Sequence, residues 1–337
     1  MGTYILKRVL LFIPTLIAIT IVTFLISRLA PGDPAELIGG QAGENQVANK
    51  EKTLENIKKI RKEWHLDEPY PVQYYLWAKG IFTLDFGKSL KDNQPVIDKI
   101  AERIPVTFVI GFFSILLTYA ISIPIGIYSA ARPGSWLDRF LSTSLFAMYS
   151  LPQFWIATLA VIFICSREYV MIFPEAGLHA STITPDTPFF EWLVDSAWHL
   201  ILPILMFTFP SLAYISRQMR GAMLEVIRQD YIRTARAKGL SEKVVVLRHA
   251  LRNSLIPIIT LISGLFPALV GGSIVVESIF SIPGTGLLAF NALNERDYTI
   301  IMGELTMSAV LTMFGVLFSD IMYSVVDPRI AFERKNS

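Results

Sequence analysis

The sequence predicts an all-α membrane protein with six transmembrane helices, and three observations carry that prediction. Charged residues make up only 17% of the 337 residues, while hydrophobic residues reach 53%; soluble domains carry about 25% charge. Mean hydropathy is +0.48. The charges are also unevenly placed: of 30 basic and 28 acidic residues, 23 lie in residues 30–103 and 12 in residues 217–252. So few charges cannot cover the two or three soluble domains this length would allow. A net charge of +2 gives no reason to expect nucleic-acid binding. One cysteine, Cys165, excludes an internal disulfide framework and a cysteine-rich metal site.

A span needs about 20 mostly apolar residues. Residues 9–27, 104–131 and 140–166 carry no charge. Residues 196–216 carry only His199, which reads as an interfacial side chain. Residues 253–276 end against Glu277, and residues 299–326 contain Glu304 and Asp320. The first run is longer than a signal-peptide core and no A-x-A-like site follows it, so it is expected to stay as an anchor. Pro14, Pro124, Pro152, Pro203, Pro210, Pro257 and Pro267 fall in the spans. Each removes a backbone hydrogen bond. The kinks suit a moving bundle, and they equally suit the general tolerance of membrane helices for proline.

Short-loop charge sets the orientation. Lys7 and Arg8 precede the first span, Arg132 and Arg139 lie between the second and third, and the tail has Arg329, Arg334 and Lys335. The loop 217–252 holds nine basic residues against Glu225, Asp230 and Glu242. The opposite loops are acidic, with Glu168, Glu175, Asp186, Glu191 and Asp195 in one and Glu295 and Asp297 in the other. Both termini are therefore expected in the cytoplasm and residues 30–103 outside, where near balance of charge is no obstacle in so long a loop.

The outer segment opens on Ala30-Pro31-Gly32-Asp33-Pro34, a helix stop. Leu54, Ile57, Ile60 and Trp64 fall at helical spacing, and a run of aromatics from Tyr70 to Phe86 suits a membrane–water interface. Gly87-Lys88-Ser89 mimics the end of a phosphate-binding loop, but the required first glycine is Phe82. Asp85-Phe86-Gly87 matches a kinase tripeptide without the other kinase elements. No H-E-x-x-H or G-x-S-x-G occurs, and the four histidines are scattered. The chain is read as no enzyme.

The loop 217–252 is too long for a turn. Helix formers run to Lys238, Gly239 offers a C-cap, and Ser241 is placed to cap a second helix with Val244, Val245, Leu247 and Leu251 on its apolar face. Two readings are open on these residues alone: an amphipathic loop that satisfies the positive-inside pattern, or a docking knob for a soluble partner. The stretch Tyr231-Ile232-Arg233-Thr234-Ala235-Arg236-Ala237-Lys238-Gly239-Leu240 resembles the cytoplasmic coupling loop of ABC importer permeases, in the form found in dipeptide, oligopeptide and nickel permeases. The general motif is E-A-A, three residues, then Gly. Here Gly239 and Ala235 fit it, whereas Arg233 and Thr234 depart from it. The general Leu-Pro that follows is replaced by Leu251-Arg252, with Ile256-Pro257 further on. The resemblance extends in order to Arg28–Pro34, Leu66-Asp67-Glu68-Pro69 with Gln73-Tyr74, 84–89 and 103–107. It continues through Glu277, Phe280, Pro283-Gly284, Gly286, Arg296-Asp297-Tyr298 and Asp327-Pro328-Arg329.

That resemblance implies a type I ABC importer permease fold. Residues 1–103 would form the N-terminal helix and outer segment, 104–327 the transmembrane domain, and 328–337 a tail. It implies a homologous second permease subunit, two ATPase subunits that carry ATP and Mg, and an extracytoplasmic binding protein. No cofactor is expected on this chain, which has no ATP-binding loop in its sequence. Docking to the ATPases would fall to Arg233, Thr234, Ala235, Ala237, Lys238, Gly239, Leu240 and Ser241. The expected cargo is a di- or oligopeptide, with nickel chelates, glutathione-like molecules and oligosaccharides as alternatives. Acids in spans are costly and usually face a cavity or a partner, which makes Glu277, Glu304 and Asp320 pathway or gate candidates. Glu277 would pair with Arg296 or another outer basic group, or meet a substrate's amino group. A proton-coupled secondary transporter, with Glu304 or Asp320 as relay, is the competing class. It predicts internal repeats, and none is clear.

Overall fold

The computed structural model describes residues 2–29, 35, 50–63, 65–174, 176–262 and 266–326. The helix stop at 30–34, Trp64, Glu175 and everything from Asp327 on lie outside the described residues, as does the side chain of Asp320. Among the described residues every regular element is a helix, and one isolated bridge joins Lys88 to Pro95. Among the described residues four helices are long and apolar enough to span a membrane: residues 9–29 of α1 (Gly2–Leu29), α4 (Val96–Ala131), α7 (Phe189–Ile227) and residues 298–318 of α14 (Tyr298–Val326).

The other two expected spans are not single rods. The third is a bent pair, α5 (Trp136–Ser150) and α6 (Gln153–Ala160, prolonged by a π-helical turn to Cys165), turning through 92°. The cause is Pro152: the residue before a proline is pushed out of the helical region, and Leu151 is extended at φ −92°, ψ 133°. The fifth is interrupted at Gly272: α10 (Leu251–Ile262) and α11 (Phe266–Gly271) lie before it and α12 (Ile274–Ile279) after it. Gly272 at φ +61° separates the last two, and Ser273 caps α12 by accepting from the Val276 N–H at 3.3 Å.

The chain forms two compact units. The first comprises Val106–Leu287 and the stretch from Leu311 onward. Its α7 packs against α5, α6, α10 and α12. One apolar cluster joins Met219, Met223 and Val226 to Ile232, Val245 and Ile258; a second joins Ile110, Ala157 and Met206 to Val276 and Phe280. Side chains of neighbouring helices reach carbonyls of α7, one of them opened by a proline. Pro210 deprives the Met206 carbonyl of its helical donor, and Gln153 Nε2 donates to that carbonyl at 2.7 Å. Ser114 and Ser122 of α4 donate to the carbonyls of Ile204 and Leu212 on α7, at 3.1 and 3.2 Å. Where α5 begins, buried Asp138 accepts from the Gly134 N–H at 2.8 Å and from Arg220 at 3.1 Å.

The second unit comprises Gly2–Pro105 and Leu288–Val310. It holds α2 (Lys50–Glu63), as its helical spacing predicts, and α3 (Tyr70–Phe82). Tyr74 and Trp77 of α3 pack on Phe24 of α1, and the Tyr74 and Thr20 hydroxyls lie 3.0 Å apart. Buried Gln73 donates to the carbonyls of Leu66 and Glu68 at 3.1 and 2.7 Å, which closes the turn before α3. A core of Phe86, Val96, Ile100, Ala292 and Ile300 joins the start of α4 to α13 (Thr285–Glu295) and α14.

Ser89, the last residue of the false phosphate loop, has a structural part here. Its hydroxyl donates to Asp297 Oδ2 at 2.5 Å, and the Leu90 N–H donates to the same oxygen at 3.1 Å. Asp297 Oδ1 accepts from the Ile300 N–H at 3.3 Å in the first turn of α14. Two motif stretches 208 residues apart thus share one buried carboxylate. A side-chain hydrogen bond contributes about 1 kcal/mol net. Ser89→Ala is therefore expected to lower the thermal unfolding midpoint of the purified protein, with no change where exposed Lys88 is replaced by Ala.

Candidate functional site

The basic loop folds as a helix–turn–helix. α8 (Asp230–Ala237) ends at Lys238, and Gly239 reverses the chain at φ +77°, a left-handed conformation that favours glycine. Its N–H donates to the Arg236 carbonyl at 2.9 Å. Ile232 and Ala235 are buried in the cluster with Met219 and Met223. Arg233, Thr234, Ala237, Lys238, Gly239, Leu240 and Ser241 are exposed. Ala235 is the exception among the expected docking residues: three residues from Ile232, it shares that helix's inner face.

Two side-chain links fix the loop. Arg236 grips Glu242 with two parallel bonds, Nε to Oε2 at 3.1 Å and Nη2 to Oε1 at 2.6 Å, across the Gly239 turn. Asn253 Nδ2 donates to the Tyr231 hydroxyl at 2.7 Å, tying α8 to α10. The second helix differs from its expected form. Ser241 stands at the cap position, but its side chain makes no cap bond. α9 (Glu242–Val244) passes at once into a π-helical turn, Val245–Ala250. The wider turn rotates the register, so that Val245, Val246 and Ala250 are buried while Val244 and Leu247 face outward.

Glu277 is fully buried within α12. Its Oε1 accepts from the Thr107 hydroxyl at 3.2 Å and the Ser273 N–H at 3.3 Å; its Oε2 accepts from the Leu287 N–H at 3.0 Å. Thr107 Oγ1 in turn accepts from the Thr285 N–H at 2.9 Å. The expected basic partner is thus replaced by a hydroxyl and main-chain donors. Gly284 belongs to the same packing. A Cβ there would collide with the Glu277 carboxylate and lie 2.5 Å from Thr107 Oγ1. Glu304 is half-buried on α14.

Sequence reasoning missed one cluster. His179 and His199 both reach Asp195 Oδ2 at 3.5 Å, and the Ala180 N–H donates to the same oxygen at 3.0 Å. His199 is buried rather than interfacial, with its Nδ1 2.8 Å from the Asp195 carbonyl. The i, i+4 spacing of Asp195 and His199 was the available signal; nothing local pointed to His179. Among the described residues no group of His, Cys, Asp or Glu is disposed to hold a metal.

Apolar helices of spanning length, two interrupted spans and a basic helical knob define a membrane-embedded helical protein. The family is shown by direct comparison: the chain belongs to the binding-protein-dependent transport system inner membrane components, whose model matches residues 122–332. The model of that family's N-terminal part matches residues 1–111. It is thus a multi-pass inner-membrane permease component.

The oligopeptide transport system permease protein AppB of Bacillus subtilis (strain 168) is 38% identical over 333 residues, covering 98% of this chain and 100% of that protein. The dipeptide transport system permease protein DppB of Alkalihalophilus pseudofirmus is 38% identical over 344 residues, covering 98% and 100%. The peptidoglycan transport system permease protein YejB of Agrobacterium fabrum is 31% identical over 364 residues, covering both chains in full. A solved structure of the inward-facing MetNI methionine ABC transporter matches with a TM-score of 0.53 and 19% identity, over 68% of this chain and 96% of that one. At that identity it speaks to the fold alone, which is that of an ABC importer permease.

Two outcomes follow from this geometry. The bond from Arg236 holds the Glu242 carboxyl below the ordinary 4.5. A lowered folded value means the clamp's contribution is complete above pH 4.5 and is lost as pH falls through the folded value. Amide exchange at 239–244, corrected for its intrinsic pH dependence, should speed up only in that acid range, and Glu242→Gln should produce the same speeding at neutral pH. Gly284→Ala should destabilise by about 1–3 kcal/mol through overpacking, read as a lower unfolding midpoint. Gly221→Ala, where a Cβ would meet nothing within 4 Å, should not.

Proposed function

We propose that this chain is one of two homologous permease subunits of an ATP-driven importer for di- or oligopeptides. An extracytoplasmic binding protein delivers the cargo, and two ATPase subunits supply the energy. ATP and Mg sit on those ATPases, and this chain contributes no cofactor of its own. Both termini and the 217–252 loop face the cytoplasm, consistent with the basic short loops. Residues 1–103 form the entry helix and outer segment, 104–327 the transport domain, and 328–337 the tail.

One observation carries this reading: the loop presents a contiguous exposed surface while its reverse side is locked into the core. Arg233, Thr234, Ala237, Lys238, Gly239, Leu240 and Ser241 are turned outward, and Ile232 and Ala235 are buried behind them. A knob of that form transmits a push instead of yielding to it. The ATPases dock on the seven outward residues, and Ala235 acts from behind by seating the helix. Peptide cargo is supported by the names of the AppB and DppB relatives. Nickel chelates, glutathione-like molecules and oligosaccharides remain the alternatives for the same machinery. Glu277 serves as the structural anchor of the outer end of the fifth span. Glu304 and Asp320 on α14 are assigned to the pathway.

The test is the turn. Asparagine accepts left-handed backbone readily, whereas a β-branched residue there pays about 1–2 kcal/mol. Gly239→Asn should keep ATP-driven peptide uptake near wild type. Gly239→Val should cut uptake about tenfold, in line with that strain, and Gly239→Pro should abolish it. All three proteins should insert normally. Wild-type uptake and ATPase stimulation in the Pro variant would overturn the docking assignment.

A further inference from the structure

A cavity of about 180 Å³ opens in the first unit between α4, α5 and α7. Its polar end is formed by Ser129, Ser142, Ser216, Arg217 and Arg220. Two of the polar atoms there have no hydrogen-bond partner among the described residues. Ser216 is only 3% exposed and its Oγ makes no hydrogen bond, and the buried Nε of Arg220 makes none either. The nearby acid, Asp138, is already engaged by Arg220 Nη2 at 3.1 Å and by the Gly134 N–H. Donors and positive charge are thus in excess. A buried unmet donor costs about 1–3 kcal/mol, so the site is suited to an incoming anionic oxygen.

The rest of the wall indicates which anion. Further along α4 and α5 from the turn that joins them, the lining becomes apolar, with Ile125, Leu145 and Phe146. Phe146 and Tyr149 at the rim are each 62% exposed, and Trp136 at the start of α5 is 77% exposed. The arginines lie just past the charge-free run 200–216, and the aromatics lie at the start of the run 140–166. The polar end therefore falls at headgroup depth and the apolar end among the acyl chains. A free ion would use only the first half of this lining. The volume, roughly six waters, holds a phosphate and its glycerol ester and leaves the tails outside.

We propose that this cavity is a binding site for the phosphate headgroup of an anionic phospholipid, held by Arg217, Arg220 and Ser216. Basic pockets between transmembrane helices are suited to such headgroups.

The test uses the purified transporter complex, reconstituted into phosphatidylcholine vesicles with and without phosphatidylglycerol. After re-extraction, the phosphatidylglycerol retained per complex is read by native mass spectrometry. Arg217→Gln should lower retention about fivefold, the worth of one basic residue near a charged surface. Ser216→Val, which fills the cavity, should lower it by at least as much. Arg220→Lys keeps the charge but removes the unmet Nε donor, and should also lower retention. Inorganic phosphate and a tripeptide added in excess should not displace it. Unchanged retention in both of the first two variants would overturn the proposal, as would a cavity filled by the second permease. Displacement by phosphate would reassign the site to a free anion, and displacement by the tripeptide to the cargo's carboxylate. Since the readout is lipid bound and not peptide moved, failure here leaves the importer reading intact.

Discussion

A fully buried carboxylate with main-chain donors in place of a basic partner holds the broken half of this molecule together. Glu277 accepts from Thr107 on α4, from the Ser273 N–H at the start of α12 and from the Leu287 N–H in α13. A buried acceptor is tolerated only when its lone pairs are met. Three separate pieces of chain must therefore stay in register around one side chain. That requirement reaches the glycines. Gly284 lies where any Cβ would strike the carboxylate, and at Gly286 a Cβ would lie 2.6 Å from the Ser273 backbone. α12 can stay short because the acid supplies connections that a continuous helix would have made internally.

The same accounting governs the proline positions. In a bilayer an unmet carbonyl has no water to turn to, so each break needs a donor from a neighbour. Gln153 stands immediately after the Pro152 bend and donates to the carbonyl that Pro210 leaves open on α7. One break therefore provides the donor that another requires. The hydroxyls of Ser114 and Ser122 make further bonds from α4 to α7 carbonyls. Gln153, Ser114 and Ser122 thus act as brackets between helices.

Much of this was legible in the sequence. The four long spans, the amphipathic helix ahead of the aromatic stretch, and the Gly239 turn follow from apolar run length, helical spacing and the need for a left-handed residue. The loop's inner face was readable only in part. Ile232 and Ala235 sit three apart, as a helix requires, but the π-helical turn at Val245–Ala250 exchanges Leu247 for Val246 on the buried side. No periodicity in the sequence announces an extra residue in a turn. The bend at Leu151–Pro152 was signalled by proline, but its size was not, because 92° depends on what the two arms pack against. The Ser89–Asp297 and His179–Asp195 contacts were out of reach. Partners 208 and 16 residues apart leave no local pattern, and a resemblance that names both members of a pair does not say that they touch.

The placement of the loop's buried side determines where a force applied to it would go. Ile232 and Ala235 share their cluster with Met219 and Met223 of α7 and with Ala130 at the end of α4. The same cluster holds Ile258 of α10, and the Tyr231–Asn253 bond adds a polar link to that helix. A single hydrogen bond contributes about 1 kcal/mol net, while a fully buried isoleucine or methionine contributes about 1.5–3. Packing therefore carries most of the connection, and it reaches α7, the end of α4 and α10 alike. Under the proposed docking role, a push on the knob would move these three together. The outer end of the fifth span is held by Glu277, beyond the interruption at Gly272. Give between the knob and that outer end would then fall at the glycine and not at the loop.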